Sequence, residues 1–403
     1  MLDTVGILYD GYDHFRKKFS ESEKDIIEAH FLFKKIIVLK GVEAAKIFYD
    51  HTKFKRNGAT PKRFQKTLFG EVGVQGLDAQ AHTKRKKLFM QVMNAQALKK
   101  IEKIFKEDLR NASTSWEKKG EIVLFPEMEL VLMRTACQWA GVPLKREEEE
   151  LRTTQMHGMI ASAGAVGLKH YHGRSARSKS EAWIESLIDR QSYRNNSIFG
   201  LFISCLYRPA QPESKNVTAV EILNLLRPIV AVARYLTFLA HAKYLYPAYL
   251  YKKKNDADEK NLQFVQEVRR FYPFFPFVAA KVIKDFSWNH YDFKKDQKVL
   301  LDIYSTNHDP NYWVNPEKFN PKRFNNWEEN PYSFIPQGGG YHEQHHRCAG
   351  EWITIGLMQT ALKFLSDMSY DVPHQNLNIK LNKIPAIPES RFRISNIRTP
   401  KSK

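Results

Sequence analysis

The segment FIPQGGGYHEQHHRCAGEW, residues 334–352, sets a glycine-rich loop directly before a single cysteine, Cys348. Its three consecutive glycines allow the backbone to approach a bound group closely. An apolar helical pattern starts at the cysteine, and the dipole and free N–H groups of a helix N-terminus stabilise a thiolate there. Arg347 is expected to lower the pKa of the thiol further. The segment therefore predicts that Cys348 is held as a thiolate in contact with a metal centre.

Three interpretations of Cys348 follow from these residues alone. A thiolate bound to heme iron would push electron density onto the metal and favour cleavage of an O–O bond. The neighbouring histidines His342, His345 and His346 suggest zinc instead, although the paired ligand spacing of common zinc sites is absent. A lone cysteine can also be a small buried hydrophobic residue. Motifs elsewhere in the chain are needed to separate these alternatives.

The composition is that of a large globular protein. Of its 403 residues, 43% are hydrophobic, and neither a Gly/Ser-rich linker nor an internal repeat occurs, so residues 1–403 are expected to form a single domain. The three cysteines, Cys137, Cys205 and Cys348, are far apart, which indicates a reducing, cytoplasmic location rather than a disulfide framework. No signal-peptide pattern and no apolar run of about 18 residues is present, so a membrane span is not expected.

The chain is strongly basic. Lysine and arginine outnumber acidic residues by 63 to 44, which gives a formal net charge of +19. Such an excess favours either nucleic-acid binding or a lysine-rich solvated surface. The basic residues are scattered and lack the interleaved aromatic residues of RNA-binding surfaces, so no nucleic-acid partner is expected. A positive field would still steer an anionic substrate toward the protein.

A long apolar helix is predicted from Thr218, where Thr218 and Glu221 form a capping box, to shortly before Pro247. It is apolar on nearly all sides, which is typical of a helix that crosses a protein core. Arg227 and Pro228 lie side by side inside it. Proline there costs about 3 kcal/mol and frees a backbone carbonyl, and a buried arginine is unfavourable unless it is paired. Two unfavourable residues together in a core helix indicate a functional site.

The remaining periodicity predicts the fold class. Helical spacing covers most of residues 78–142, and a second core helix is predicted from Cys348 to about Asp367. Strands are predicted at 31–40 and, as short segments joined by turns, across 277–304. The class is therefore mainly α with a small, segregated β portion.

Two further motifs precede the cysteine loop. Glu267 and Arg270 form an E-x-x-R pair on one helical face, and Arg323 follows in a proline-punctuated segment. In this order and spacing, the three motifs resemble the cytochrome P450 superfamily, and the chain closely resembles one bacterial branch of it, the heme-thiolate fatty-acid peroxygenases. The resemblance covers nearly the whole chain, and its matching stretches include 74–78, 81–86, 226–228, 265–270 and 335–340.

The resemblance implies a cytochrome P450 fold in which heme b lies between the long central helix and the helix that follows the cysteine loop. Cys348 is then the axial ligand of the heme iron, and Gly350 belongs to the same cofactor-binding loop. By the same resemblance, three other residues form a buried structural network behind the heme: Glu267, Arg270 and Arg323. Basic residues of relatives pair with the heme propionates at the places that this chain fills with Arg56, His82 and Arg85.

The chemistry of the branch is implied by the same resemblance. Ordinary members of the superfamily carry an acid–alcohol pair in the central helix, whereas this chain carries Arg227 and Pro228 there. Arginine is not a proton donor at neutral pH, but it binds a carboxylate in bidentate fashion. A long-chain fatty acid is expected to pair its carboxylate with Arg227, where that carboxylate serves as general acid–base toward hydrogen peroxide. The expected product is hydroxylated at the α or β carbon, and no obligatory redox partner is expected.

Gln75 is expected to lie over the heme as a further catalytic and substrate-binding residue. A histidine at this place accompanies decarboxylation to terminal alkenes in some members, whereas glutamine is more typical of hydroxylating members. A neutral amide orients peroxide or water but cannot donate a proton as imidazolium does. Hydroxylation is therefore favoured over oxidative decarboxylation, and a non-catalytic heme- or lipid-binding protein is a more remote alternative. Phe69 and Phe274 are expected to line the acyl channel.

Overall fold

The structure is a computed structural model that describes residues 2–22, 24–31, 34–163, 165, 167–190, 195–250 and 257–399. Its α-helices are, in chain order, α1 (Leu2–Asp10), α2 (Asp13–Ser22), α3 (Val42–Phe48), α4 (Lys62–Phe64), α5 (Ala79–Gln91), α6 (Ala95–Lys119), α7 (Leu124–Ala140), α8 (Glu149–Ala161), α9 (Gly167–Asp189), α10 (Ile198–Leu206), α11 (Glu213–Leu245), α12 (Ala257–Phe271), α13 (Ile303–Asn307) and α14 (Glu351–Asp367). A π-helical turn covers Gln65–Phe69, and 3₁₀ turns cover Val74–Gly76, Arg146–Glu148, Pro247–Tyr249 and Pro321–Phe324.

The strands form three small sheets. They are β1 (Ile26–Phe31), β2 (Lys34–Leu39), β3 (Phe54–Lys55), β4 (Glu121–Val123), β5 (Phe277–Val282), β6 (Phe286–Trp288), β7 (Tyr291–Phe293), β8 (Lys298–Asp302), β9 (Ser369–Asp371) and β10 (Arg393–Arg398). The largest sheet has the order β1-β2-β8-β5-β3, with β2 and β8 parallel, and the others are β4-β10-β9 and β6-β7. This sheet has an apolar cluster separate from the larger helical core. The predicted class, mainly α with a segregated β portion, is confirmed.

The largest sheet begins with a hairpin that the sequence pattern did not separate. The predicted strand at 31–40 contains the end of β1 and all of β2, which pair antiparallel so that Ile26 lies opposite Leu39. Leu32 and Phe33 lie outside the described residues. The single-strand prediction was wrong because no Gly, Pro, Asn or Asp interrupts the apolar run between the two strands.

Helix α11 is the central helix of the core and runs for 33 residues. It begins at Glu213, before the predicted capping box, and the Thr218 hydroxyl instead donates to the carbonyl of Ser214 at 2.8 Å inside the helix. The capping-box prediction is therefore wrong. The helix is long and apolar enough to cross a membrane, yet 89% of its apolar 18-residue stretch is buried inside the protein. Contacts with α7, α9, α10 and α14 surround it, as expected for a core helix.

The cysteine loop leads into α14 without Cys348 entering the helix. Gly350 is the N-cap residue and the helix begins at Glu351, so the prediction of a helix that starts at Cys348 is wrong. Gly338 and Gly340 have φ values of 92° and 80°, a region that favours glycine. The loop closes where the Cys348 N–H donates to the carbonyl of Gln337 at 3.0 Å. Backbone geometry therefore fixes the position of the cysteine.

A buried ion network joins α12 to the segment that follows the largest sheet. Arg270 binds Glu267 through two hydrogen bonds of 2.8 Å, and both side chains are 0% exposed. Arg323 approaches the same carboxylate at 3.1 Å, and the N–H of Asn320 donates to it at 2.8 Å. The structure thus brings the predicted trio together. Because one carboxylate serves two guanidinium groups and a backbone N–H, this network ties elements together instead of facing a ligand.

Candidate active site

Arg227 projects from α11 as a buried cation that has no carboxylate partner in the described part of the chain. Its Nη2 donates to Oδ1 of Asn224 at 3.3 Å, while its Nε is buried and unbonded. The ring of Phe69 lies 5.9 Å from its Cζ. Burial, reinforced by Arg177 and opposed by Cys348, lowers the pKa of Arg227 to about 9. A buried guanidinium with a free donor is suited to binding an anion, because a carboxylate would supply the missing partner.

Asn224, one turn before Arg227, connects it with two other side chains. Its Nδ2 donates to Oε1 of Gln75 at 3.3 Å and to Oε2 of Glu221 at 3.0 Å. Pro228 lies inside α11 and has no N–H, so it also leaves the backbone carbonyl of Asn224 without its helical partner. The structure therefore brings the predicted residues Arg227, Pro228 and Gln75 together around Asn224.

Glu221 lies a further turn along the same face of α11, and its side chain is 0% exposed. The Nη1 of Arg85 donates to its Oε1 at 2.5 Å, and the Val74 N–H bonds to the carboxylate as well. Burial raises the pKa of Glu221, although Arg85 and Asn224 oppose the shift. Arg85 was predicted to pair with a heme propionate. In the structure its guanidinium instead binds the carboxylate of Glu221. The pair connects α5 and the Gln75 turn to α11.

The π-helical turn Gln65–Phe69 places Phe69 beside Arg227. The Nη1 of Arg177, on α9, donates to a carbonyl of this turn at 3.1 Å and holds it against the helices. Gly70, with a φ of 82°, follows the turn, and a Cβ there would lie 2.5 Å from Nη2 of Arg177. Glycine is therefore required for this close approach. Phe69 therefore contacts the candidate carboxylate-binding residue, and its place in a substrate channel stays a prediction.

Phe274 follows α12 in the chain and contacts the central helix α11 at a different point from Phe69. Its ring stacks on Tyr235 of α11 with the centroids 4.2 Å apart, and its carbonyl accepts the hydroxyl of Tyr12 at 2.8 Å. Tyr235 is two turns beyond Arg227, and burial raises the pKa of its hydroxyl, which is buried without a hydrogen bond. Phe69 and Phe274 are therefore placed at different points along α11 rather than side by side.

The Cys348 thiol has a different environment from the predicted one. Arg347 is turned away from it and donates to two carboxylates, one of them that of Glu351. Burial raises the pKa of Cys348 and Glu351 raises it further, while Lys86 and the Gly350 N–H oppose the rise. The prediction that Arg347 lowers the pKa of the thiol is therefore wrong, whereas the N–H of Gly350, at the N-cap of α14, lowers it as expected, although burial outweighs that effect. A metal ion bound by Cys348 would remove the proton of the thiol outright.

Four basic side chains lie close together at the cysteine loop, one of them from the loop itself: Arg56, His82, Lys86 and His346. The rings of His82 and His346 stack with their centroids 3.9 Å apart, and Arg56 lies 4.2 Å from the ring centroid of Phe48. Burial lowers the pKa of Lys86 to about 8, and burial together with the charge of Lys86 lowers that of His82 to about 4. Within the described ranges, none of the four forms an ion pair with a carboxylate. We name this group the basic cluster.

The basic cluster and Cys348 fit a heme, whose propionates would need positive charge and hydrogen-bond donors and whose iron would need a ligand. Cys348 keeps accessible surface although burial raises its pKa, as expected for a thiol on the wall of an internal space. Cys348 could hold the iron, and Arg56 and His82 could hold the propionates, whereas the ammonium of Lys86 donates to the carbonyl of Arg347 in the cysteine loop. Across the described residues, no group of three or more His, Cys, Asp or Glu side chains could bind a metal ion, which leaves the zinc alternative without a ligand set.

Sequence reasoning missed the roles of Asn224, Glu221 and Lys86. A signal for two of them exists, because Glu221, Asn224 and Arg227 recur at every third position of an otherwise apolar helix and so share one face. Assigning Glu221 to a capping box concealed that pattern. Lys86 belongs to a run of basic residues, and sequence alone does not show which member of such a run is buried.

Comparison with known proteins identifies the family. A family model described as Cytochrome P450 matches residues 262–386. The structure of cytochrome P450SP alpha (CYP152B1) in complex with (R)-ibuprophen matches with a TM-score of 0.93 at 40% identity, over 98% of each chain. Cytochrome P450EX alpha (CYP152N1) with myristic acid matches with a TM-score of 0.90 at 37% identity, over 98% of this chain and 97% of that one. Ligand-free cytochrome P450 OleT matches with a TM-score of 0.94 at 30% identity, over 100% of this chain and 98% of that one.

The structural matches extend over nearly the whole chain and agree with the order of the motifs found in the sequence. Membership of the family implies an oxidoreductase whose cofactor is heme with a thiolate-bound iron. By sequence and structure, the chain belongs to the cytochrome P450 family, within its bacterial fatty-acid peroxygenase branch.

Proposed function

We propose that this protein hydroxylates long-chain fatty acids at the α or β carbon, with hydrogen peroxide as the oxidant. One observation carries the proposal: Arg227 is a buried guanidinium with an unbonded Nε and no carboxylate partner among the described residues. A fatty-acid carboxylate would supply that partner. The myristic acid in the similar structure of cytochrome P450EX alpha supports the choice of substrate class.

Binding at Arg227 would determine which carbons react. An arginine–carboxylate pair is frequently bidentate, which fixes the orientation of the carboxylate as well as its position. The carbons next to the carboxylate would then be held close to α11, whereas the rest of the acyl chain would contact apolar walls such as Phe69. Selectivity for the α and β carbons follows from this restraint.

The substrate carboxylate would also act as the general acid–base. Arg227 does not release a proton at neutral pH, and Gln75 and Asn224 are neutral amides. Glu221, the acidic residue on this face of α11, is occupied by Arg85 and Asn224. A carboxylate held by Arg227 would therefore accept and return the peroxide proton. Because the substrate itself does this work, the reaction needs neither a proton relay from the central helix nor a reductase.

The cofactor would be held by Cys348 through the iron and by Arg56 and His82 of the basic cluster through the propionates. When bound, the heme supplies the redox chemistry by which one oxygen atom of peroxide is transferred to carbon. Overall, one C–H bond of the fatty acid becomes C–OH, and the other peroxide oxygen leaves as water. The residues of this chain contribute binding, orientation and control of the proton.

The second candidate reaction is oxidative decarboxylation to a terminal alkene. Gln75 favours hydroxylation, because its side chain accepts a hydrogen bond from Asn224 at 3.3 Å and has no titratable proton to donate. The two reactions differ in their products, which makes them easy to separate.

Product analysis tests the proposal. Purified holoenzyme, given a long-chain fatty acid and hydrogen peroxide but no reductase, is expected to form mainly α- and β-hydroxy acids, identified by gas chromatography. A majority of terminal alkene would replace hydroxylation with decarboxylation. Product that forms only with a reductase and a reduced nicotinamide cofactor would overturn the assignment of peroxide as the oxidant.

A further inference from the structure

The side-chain amide of Asn224 lies between three polar groups that fix its orientation. Its Nδ2 faces two acceptors, Oε2 of Glu221 at 3.0 Å and Oε1 of Gln75 at 3.3 Å. An ionised carboxylate only accepts hydrogen bonds, so a reversed amide would set its oxygen against that of Glu221. The Oδ1 of Asn224 is therefore directed to Arg227, whose Nη2 donates to it at 3.3 Å.

Glu221 is itself fixed from the opposite side. Its side chain is 0% exposed, whereas that of Arg85, its partner at 2.5 Å, is 19% exposed and lies nearer the surface. The N–H of Val74 adds a bond from the turn that carries Gln75. The negative charge of Glu221 is thus paired with Arg85, and the side chain that contacts Arg227 is a neutral amide.

We infer that Asn224 is a positioning residue that aims Arg227 at the substrate carboxylate, and that Glu221 locks the amide of Asn224 in the required orientation. The inference rests on the proposed function and deepens it. A neutral acceptor steers one N–H of Arg227 without cancelling its charge, so the remaining donors stay available for the ligand. A carboxylate at position 224 would instead occupy Arg227 and compete with the fatty acid.

Asn224→Asp tests the need for neutrality, because it preserves the shape of the side chain and adds a charge beside Arg227. In the heme-loaded protein, the dissociation constant of a long-chain fatty acid is expected to rise about tenfold or more, since the new ion pair removes a charge-assisted hydrogen bond from the ligand. The dissociation constant of the fatty alcohol of the same chain length should change little. Isothermal titration calorimetry measures both ligands, and equal weakening of both would reduce Asn224 to a fold residue and overturn the inference.

Glu221→Gln tests the lock, because two mechanisms predict opposite results. The glutamine can donate to Oδ1 of Asn224 and allow the amide to turn, so fatty-acid binding is expected to weaken several-fold while alcohol binding is retained. If Glu221 acted only through its negative charge, removing that charge would make the site more positive and tighten fatty-acid binding. Tighter binding would therefore overturn the positioning role of Glu221.

Three further variants keep the result interpretable. Thr237→Val changes a buried residue of the same helix whose hydroxyl donates to the Ala233 carbonyl at 2.8 Å, and the preference for acid over alcohol should persist. Should Asn224→Asp fail to take up heme, Asn224→Ser is expected to lower the same preference less strongly, and an unchanged preference would overturn the inference. Arg227→Ala separates the two proposals. If Arg227→Ala loses the preference for acid over alcohol and Asn224→Asp keeps it, only the inference is overturned. If Arg227→Ala keeps the preference, the proposed function is overturned.

Discussion

Among the described residues, Arg227 is a buried charge that has no carboxylate as counterion. Its pKa is lowered to about 9, chiefly by burial, so folding disfavours the charged form of this side chain. Arg227→Leu is therefore expected to raise the free energy of unfolding of the heme-loaded protein by about 1–3 kcal/mol and to abolish fatty-acid binding. Urea denaturation followed by circular dichroism measures the first effect, and calorimetric titration measures the second.

Arg234 provides a matched control for that substitution. It is a buried arginine of the same helix, but its Nη1 donates to the carbonyl of Ala386 at 2.7 Å. Arg234→Leu would leave that carbonyl without a partner and is expected to lower the free energy of unfolding. An equal loss of stability in Arg227→Leu would mean that Arg227 has an internal partner and is not free for a ligand.

Gln75 is the residue expected to influence the choice between the two reactions. Its amide is held by Asn224 at 3.3 Å and cannot deliver a proton. Gln75→His introduces a group that titrates near neutral pH, and it is expected to raise the fraction of terminal alkene among the products. Gas chromatography of the wild type, Gln75→His and the neutral variant Gln75→Asn decides the point. An alkene fraction equal in all three would remove Gln75 from the control of reaction type.

At the level of elements, the sequence predicted that α11 crosses the core, but it did not predict the residue at which the helix begins. The apolar run predicts a helix that crosses the core, as observed, and the Arg227–Pro228 pair predicts a site inside it. The start at Glu213 was not predictable, because Thr218 and Glu221 have the residue types of a capping box. Their observed partners are the Ser214 carbonyl for Thr218 and, for Glu221, the distant Arg85, and only the folded chain brings the latter pair together.

The link between α12 and the segment after the largest sheet depends on Glu267. Glu267→Ala would leave Arg270 and Arg323 without their shared carboxylate in a buried place, and it is expected to cost about 3–5 kcal/mol of stability and to reduce heme content. Chemical denaturation and the ratio of heme absorbance to protein absorbance measure the two effects. Glu317→Ala is the control, since Glu317 is 61% exposed where it pairs with Arg16, and its loss should change stability little. Equal effects of the two substitutions would contradict a structural role for the buried network.

Across the whole molecule, the sequence motifs predicted the architecture well, but they predicted the charge environment of individual side chains less well. The glycine run and the place of Cys348 were recognisable because they depend on local backbone geometry. The pKa of Cys348 was not, since it depends first on burial and then on Glu351, whose carboxylate also contacts Arg347, His342 and Arg269. The last of these comes from α12, far away in the sequence. Side-chain partners of this kind are set by tertiary packing, which no local pattern encodes.

The attachment of the N-terminal helices to the sheet should make stability depend on pH in the acid range. Asp3 accepts the N–H of His30 at 2.7 Å and contacts Lys18 and His14. Burial alone would raise the pKa of Asp3, but these bonds outweigh it and lower the pKa from 3.8 to about 2. The ionised carboxylate therefore stabilises the folded protein above pH 3.8, and this contribution is lost as the pH falls toward 2.

Asp3→Asn checks that dependence. The variant is expected to unfold more easily than the wild type at neutral pH, and the difference in the free energy of unfolding should shrink as the pH falls below 3.8. Denaturant titrations at a series of pH values measure it. A difference that stays constant down to the lowest accessible pH would mean that the Asp3 carboxylate has no lowered pKa in the folded protein.

Peroxide-driven turnover of a long-chain fatty acid by Arg227→Ala, measured beside the wild type without a reductase, tests the central role of Arg227 most directly. Hydroxylated product is expected to fall by about 100-fold or more, because the substrate carboxylate loses the cation that holds it in place as general acid–base. Heme content and the carbon-monoxide spectrum of thiolate-bound iron should remain unchanged. Turnover near the wild-type rate, with heme intact, would contradict the assignment of Arg227 as the residue that binds the substrate carboxylate.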